Sequence, residues 1–364
     1  MKIKSLKLKN FRNYELLQVD FDEHTNIFYG DNAQGKTNIL ESIYLTATSK
    51  SHRGTKDRDM IFFGEDESHI ETVIEKNQIE YKIDMHLKKN SPKGIAINKV
   101  PIRRARELFG IINIVFFSPE DLNIIKNGPA ERRRFLDLEL SQLDKVYLSN
   151  LANYNRVVNQ RNKLLKDISY QQGLFETLDV WDMQLVEYGN KIIERRNFFI
   201  DQINGIIKGI HNKLTGGKEE LKLIYEPSNG QNSLEWSLKK NRDRDIRMKS
   251  TSVGPHRDDI CFKVGELDIR KFGSQGQQRT AALSLKLSEI ELVKILINDT
   301  PILLLDDVLS ELDKHRQNYL LDSINHIQTL VTCTGVEEFV NHRFSINKIF
   351  HVQDGHVSSP SGTL

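Results

Sequence analysis

Apolar and polar residues alternate over Leu6-Lys7-Leu8-Lys9 and over Leu17-Gln18-Val19-Asp20-Phe21-Asp22, which predicts two half-buried strands, although Ile3 is out of phase with Leu6 and Leu8. Ile79 to Leu87 alternates without a break. With Ile70-Glu71-Thr72-Val73-Ile74 it predicts an antiparallel sheet, and Gly94 to Val100 reads as a further short strand and turn. Ile27-Phe28-Tyr29, Ile111 to Phe117 and Ile302 to Leu305 are continuous apolar runs, the pattern of strands buried on both faces.

The periodicity changes near Ala130. Phe135, Leu138, Leu143, Tyr147, Leu151, Tyr154, Val158 and Leu165 fall mostly three or four apart, and a second stripe runs from Leu178 through Leu185, Ile192, Phe199 and Ile203 to Leu214. Both predict amphipathic helices, each able to reach about 50 Å at about 1.5 Å per residue. A break over Ser169 to Glu176 lets them return antiparallel, as a projecting arm or as a compact lobe, and Gly216-Gly217 ends the pair. Leu221 to Tyr225 then reads as a strand, and Lys239 to Arg247 as a mixed-charge helix or loop. The α/β character resumes beyond it, and the polar tail from Ser358 to Leu364 reads as frayed. The organisation expected is one head, 1–125 and 250–364, around an inserted helical arm, 126–249.

Length and composition narrow the class without fixing it. The chain has 364 residues, 38% hydrophobic and 28% charged, which fits two or three ordinary globular domains. A net charge of +2 means that any nucleic-acid surface is local. Two cysteines, Cys261 and Cys333, lie far apart and suit a reducing compartment. No run approaches the roughly 18 apolar residues of a membrane span, and the lysine-studded start does not read as a signal peptide, so a cytoplasmic location is expected.

The chemistry concentrates in three places. Gly30-Asp31-Asn32-Ala33-Gln34-Gly35-Lys36-Thr37 fits G-x-x-x-x-G-K-[ST], between an apparent strand and a helix that starts at Thr37 and carries Asn38, a further candidate for the nucleotide, in its first turn. Such a loop turns successive N–H groups toward one anion, with Lys36 reaching β- and γ-phosphates and the Thr37 hydroxyl on magnesium. Roughly 270 residues downstream, Ile302-Leu303-Leu304-Leu305-Asp306-Asp307 ends a buried strand in two carboxylates. Asp306 is the expected metal contact and Asp307 the group polarising the attacking water. Between them, Phe272-Gly273-Ser274-Gln275-Gly276-Gln277-Gln278-Arg279-Thr280 runs into a helix and offers a second anion site at Ser274, Gly276 and Gln277.

GDNAQGKT, GSQGQQRT, ILLLDD and SELD occur in the order of Walker A, signature, Walker B and D-loop, and so resemble the ABC-type ATPases. The lysine-rich first strand and Lys9-Asn10-Phe11-Arg12-Asn13-Tyr14 are similar to the SMC, Rad50 and RecF branch. Phe117 to Leu122, Gly128-Pro129 with Arg132 to Asp137, and Thr251 to Asp259 resemble the RecF family in particular. The resemblance implies an α/β, Rad50-like ABC ATPase head of mixed sheets with helices, carrying the inserted arm. It also implies an ATP-driven homodimer in which Ser274 caps the γ-phosphate held by Lys36 of the other subunit. Arg12 would reach the phosphates, and Arg53 would lie at the nucleotide or the dimer interface. DNA gaps and the mediator proteins RecO and RecR would be partners in recombinase loading and SOS induction. Against the transporter pattern, Gln275 replaces a glycine, Asp307 is one methylene shorter than glutamate, and Thr332 and Thr334 stand where histidine is usual. Slow hydrolysis is therefore expected. The competing readings are a transporter subunit, against which the insertion and the lysine-rich first strand argue, an SMC-like DNA-bridging protein, which would need a hinge or a much longer coiled coil, and a P-loop kinase, which would have no use for the signature loop.

Candidate phosphate contacts for DNA are Arg103, Arg104, Arg106, the Arg132-Arg133-Arg134 run, Lys239, Lys240, Arg242, Arg244, Arg247 and Lys249. No base-reading motif or aromatic platform is visible, so binding is expected to be sequence-tolerant and salt-dependent. His256 is expected to be a hydrogen-bonded structural histidine rather than a metal ligand.

Overall fold

The computed structural model describes residues 1–168, 172–335 and 347–358. The chain divides into two compact units, Met1–Asp121 with Glu289–Leu364, and Leu122–Ser288. In the first unit, β1 (Lys2–Phe11), β2 (Tyr14–Asp20), β3 (Thr25–Tyr29), α1 (Lys36–Thr48), β4 (Glu67–Lys76), β5 (Ile79–Lys88), β6 (Gly94–Ile97), β7 (Val100–Pro101) and β8 (Ile114–Phe117) follow in order. β2-β1-β4-β5-β6-β7 form an antiparallel sheet. The phase error at Ile3 has a structural cause. The β1–β4 register slips between Ile3 and Ser5, and this bulge returns Ile3 to the buried face with Leu6 and Leu8.

The second unit holds α2 (Leu122–Lys126), α3 (Pro129–Leu143), α4 (Lys145–Asp167), α5 (Leu178–Thr215), β9 (Leu221–Glu226), α6 (Leu234–Lys240), α7 (Arg242–Met248), β10 (Asp259–Val264), β11 (Leu267–Asp268), α8 (Ile269–Phe272) and the start of α9 (Gln275–Ile297). The first apolar stripe is two helices, because the Asp144 carboxylate accepts the Val146 and Tyr147 N–H groups and starts α4 anew. Of the break expected over Ser169 to Glu176, residues 169–171 lie outside the described residues. α5 has 38 residues and ends at Gly216 with φ 63, in the left-handed region. Asn204 on α5 brackets Leu223 of β9, its amide donating to the carbonyl and its oxygen accepting the N–H, both at 2.8 Å. The helices therefore pack on a sheet of their own, β11-β10-β9.

That sheet also moves the boundary expected at residue 250. β9 pairs with β10 from Leu221↔Val264 to Glu226↔Asp259, so residues beyond 250 complete a layer begun before it, and the unit extends to Ser288. Buried arginines lock the same unit. Arg161 donates to Asp182 (2.6 Å), Asp245 (2.7 Å) and Thr251 (3.0 Å), and Arg196 to Asp137 (2.7 Å), the Tyr147 hydroxyl (3.1 Å) and the Pro255 carbonyl (2.7 Å).

The chain returns to the first unit with β12 (Ile302–Asp306), α10 (Lys314–Ser323), β13 (Thr329–Cys333), β14 (Lys348–Gln353) and β15 (His356–Ser358). The order of the second six-stranded sheet is β15-β14-β3-β13-β12-β8, with β14, β3, β13, β12 and β8 parallel. β8 and β12 are wholly buried, as their continuous apolar runs predict. Parallel order points all their C-terminal ends one way and makes that edge the natural ligand crevice. Residues 359–364, most of the tail expected to fray, lie outside the described residues.

Candidate functional site

β3 delivers the phosphate loop to this edge. The chain turns at Gly35, the N-cap of α1, where no side chain caps the helix and no acidic residue occupies the first turn. The helix thus presents its positive end with its leading amides free of side-chain caps, a site built for an anion. Lys36 curls back and donates from Nζ to the carbonyls of Gly30 (2.6 Å) and Asp31 (2.7 Å). Burial holds its ammonium below the usual lysine range, with the charges of Asp307 and Asp306 among those opposing the shift. Asn38 donates to Asn13 at 2.8 Å, and Asn13 donates to the Gln34 carbonyl at 3.0 Å, so the turn between β1 and β2 braces the loop.

Two strands along, β12 brings Asp306 to the same place. The Thr37 hydroxyl donates to Asp306 Oδ1 at 2.7 Å across 269 positions of sequence. Thr332, on β13 between the two strands, donates to the same oxygen at 2.8 Å. Burial pushes the Asp306 carboxyl above its ordinary range, against these two donors. Asp307 follows with φ 52, its N–H shared between the Thr332 carbonyl (3.2 Å) and hydroxyl (3.1 Å). A hydroxyl and a carboxylate are hard oxygen donors, too few for a protein-only cage. They suit magnesium, which completes its shell with phosphate oxygens and water. Among the described residues no group of three or more His, Cys, Asp or Glu could hold a metal by itself.

Arg12 departs from the expectation. Its guanidinium makes a two-pronged bond to Glu41 (2.8 Å each) and also donates to the Asp59 carbonyl (2.9 Å) and the Thr55 hydroxyl (2.8 Å). Four of its five donors are thus engaged away from the loop. Glu41 is the residue that pattern reasoning missed. Burial alone would raise its carboxyl, but Arg12 and Ser51 hold it below the ordinary range. A lone carboxylate within Ile39-Leu40-Glu41-Ser42-Ile43 was the available signal. Through Arg12, Ser51 and Thr55 it fixes the loop that carries Arg53, whose Nη1 lies 3.3 Å from Asn38 Oδ1 and whose charge lowers the Asp306 carboxyl.

In the second unit, Ser274 caps α9 reciprocally with Gln277. The Ser274 N–H donates to Gln277 Oε1 (3.0 Å), and the Gln277 N–H donates to Ser274 Oγ (3.2 Å). Ser274 and Gly276 are exposed, so the signature loop is presented on the surface of its unit. His256 accepts a hydrogen bond from the Tyr154 hydroxyl at Nδ1 (2.8 Å) and donates from Nε2 to the Thr251 carbonyl (3.0 Å), a structural neutral imidazole pushed by burial to a pKa of about 4.

The basic candidates separate by burial. Arg132 is buried, paired through two nitrogens with Asp259 and bonded to the Ile124 and Asn127 carbonyls, so its expected place on DNA is corrected to an internal lock. Arg133 is half-buried on the Asp258 carbonyl, and Arg242 is held by Asp179 and Asp182 at 2.6 Å. Arg103 and Arg104 are exposed, as is Lys239, which pairs with Glu235 at 2.8 Å. No described helix is long and apolar enough to cross a membrane.

The family model of the RecF/RecN/SMC N-terminal domain matches residues 2–358. The chain is 66% identical over 359 residues to the DNA replication and repair protein RecF of Lachnospira eligens, covering 98% of this chain and 99% of that one. The chain belongs to the RecF family. RecF of Agathobacter rectalis is 64% identical over 357 residues, again 98% of this chain and 99% of the relative. Among solved structures, that of the recombination mediator RecF–ATP of the RecFOR pathway superposes with a TM-score of 0.91 at 35% identity, covering 99% of this chain and 97% of that one. The Smc head domain of Pyrococcus furiosus, at TM-score 0.57 and 17% identity over 98% and 94% of the two chains, shares the fold. This RecF-family chain accordingly has the ABC ATPase head fold of mixed sheets with helices that its motifs predict.

Proposed function

We propose that this chain binds ATP with magnesium at the phosphate loop and uses it as the latch of a DNA-holding homodimer. The observation that carries the reading is the 2.7 Å contact between Thr37 and Asp306, which joins phosphate loop and acidic strand into one site. The RecF–ATP relative supports ATP as the ligand. Gly30 to Asn38 would cradle the phosphates, Lys36 would offset the charge of the β- and γ-phosphates, and Thr37 and Asp306 would hold magnesium, which supplies charge neutralisation on the transferring group. Asp307 would take the proton of the attacking water as the γ-phosphoryl leaves ADP. Ser274, Gly276 and Gln277 would close on the partner's γ-phosphate, a role that their exposed helix N-terminus supports. With a short carboxylate as base, hydrolysis is expected to be about 10²- to 10⁴-fold slower than with well-placed proton-transfer partners.

DNA would bind through phosphate contacts, for which Arg103, Arg104, Arg106, Lys239, Lys240, Arg244 and Arg247 are among the exposed candidates. The family relationship supports work at gapped DNA with RecO and RecR type mediators, in recombinase loading and SOS induction. Sedimentation with and without ATP tests the latch on wild type, Lys36→Ala and Ser274→Arg. Wild type should dimerise with ATP and both variants should not; an ATP-indifferent wild type, or a Ser274→Arg variant that dimerises normally, defeats the sandwich.

A further inference from the structure

The phosphate loop is braced on the side of β14 as well as by Asn13. β14 and β15 pair Gln353 directly with His356, leaving a two-residue turn, Asp354–Gly355, with φ 47 and 73. Both residues are left-handed, the geometry that twisted hairpins require. The turn faces the phosphate loop. The Asp354 N–H donates to Gln34 Oε1 at 2.5 Å and the Gly355 N–H to the Gln34 carbonyl at 3.4 Å, the carbonyl that Asn13 also holds. The approach leaves no room for side chains. A Cβ on Gly355 would stand 2.4 Å from the Asn13 carbonyl oxygen, and one on Gly30 would stand 2.2 Å from the Val352 carbonyl oxygen. β14 is itself anchored to the strand that carries the loop, with Phe350 stacked on Phe28 at 4.8 Å and His351 against Tyr29 at 4.9 Å.

We propose that the Asp354–Gly355 turn, with Asn13, is a positioning clamp on Gln34 that sets the curvature of the phosphate loop and thereby its affinity for nucleotide. Gln34 lies next to Gly35, and the amides that follow are those aimed at the anion. Displacement of one peptide of the loop re-aims its neighbours, and misplacement of about 1 Å at such a site can cost about 10²-fold. Coupling of this kind is reciprocal, so nucleotide must also stabilise the turn. This inference rests on the reading that nucleotide occupies the loop.

The experiment titrates the full chain with a fluorescent ATP analogue and magnesium, comparing wild type, Gly355→Val and Asn13→Asp. Asn13→Asp keeps the acceptor for Asn38 and replaces the donor to Gln34 with a carboxylate oxygen, and titration at low and at raised salt separates the loss of the clamp from the screened effect of the added charge on nucleotide. Both variants should bind at least about tenfold more weakly, Asn13→Asp while still melting cooperatively as a folded chain before nucleotide is added. In wild type, hydrogen exchange at the Asp354 and Gly355 amides should slow when the analogue binds, a readout that does not depend on either variant folding. If wild type fails to bind, the nucleotide reading falls and the clamp with it. If wild type binds while Asn13→Asp matches it, or the two amides gain no protection, the clamp alone is refuted.

Discussion

Thr332→Val tests the construction of the site more sharply than removal of a phosphate-loop residue, because Thr332 need not touch nucleotide at all. The substitution keeps the β-branched shape in a strand that is wholly buried and removes one hydroxyl. Two bonds go with it, the donation to Asp306 at 2.8 Å and the acceptance of the Asp307 N–H at 3.1 Å. The second loss is partly covered, since the same N–H also reaches the Thr332 carbonyl at 3.2 Å. The first is not covered, and a hydrogen bond to a charged acceptor contributes about 1.5–3 kcal/mol. At about 1.4 kcal/mol per decade this is about 10- to 150-fold. It should appear mainly in Asp306, hence as a raised magnesium requirement for ATP hydrolysis, with a smaller change in the rate at saturating metal. Steady-state phosphate release across a magnesium titration reads both. Thr332→Ser restores the hydroxyl and should recover at least most of the loss. Equal magnesium dependence of Thr332→Val and wild type, or a Thr332→Ser variant as impaired as Thr332→Val, would refute the bridging role.

Glu41→Gln leaves the half-buried Arg12 fork facing a buried neutral amide and should destabilise the chain by about 1–3 kcal/mol in urea melts at pH 7. Because the folded carboxyl lies below its usual 4.5, that contribution is present above about pH 4.5 and fades below it, so the gap to wild type should narrow in acid; a gap independent of pH would count against the ion pair. His256 titrates near 4 folded against 6.5 unfolded, so protonation favours the unfolded chain and stability falls as pH drops from about 6.5 toward 4. The loss from pH 7.5 to 5 is about 2 kcal/mol, and a His256→Phe variant, less stable at neutral pH, should show a slope shallower by that amount. Arg132→Met strips an internal ion pair and should cost about 3 kcal/mol of stability without altering the salt slope of DNA binding. The double variant Arg103→Ala/Arg104→Ala should do the reverse, lowering that slope by up to about 2; a reversed pattern would overturn the division by burial.

The periodicities made most strands legible, and the motif spacing picked out the two distant stretches that the fold joins at Thr37 and Asp306. The misses share one physical origin. Arg12, Arg132 and Arg242 are cations by composition, and nothing in a local window says that Glu41, Asp259 and Asp182 lie opposite them in the fold. Long-range pairing of charges decides whether a cation faces solvent or holds two elements together, and pairing is a property of topology. The boundary near 250 failed for a related reason. Its composition shift is real, but strand pairing of β9 with β10 outweighs composition in deciding where a compact unit ends. Asp144 was readable as an N-cap inside an apolar stripe, and a stripe continuous across it hid the new start of α4.

The order β3-β13-β12 makes the site a reporter of how the two ends of the chain come together. Lys36 and Thr37 arrive from the first strands, Asp306 and Thr332 from the last, and the second unit is spliced between them. Entropy of closing so long a loop grows only logarithmically, by about 0.6 kcal/mol for each doubling, so the insertion itself is tolerated at small cost. What must be supplied is a reason for β12 and β13 to dock beside β3, and the buried aliphatic faces of these strands supply it before any ligand arrives. Nucleotide bound as proposed would add binding energy to the same junction, about 2.7 kcal/mol at a hundredfold excess over its dissociation constant. The stabilisation should therefore appear as slowed exchange in β12 and β13 as strongly as in α1. If ATP protected only residues 30–40 and left β12 and β13 unchanged, the two halves would be bound independently and the Thr37–Asp306 contact would not be the joint of the site.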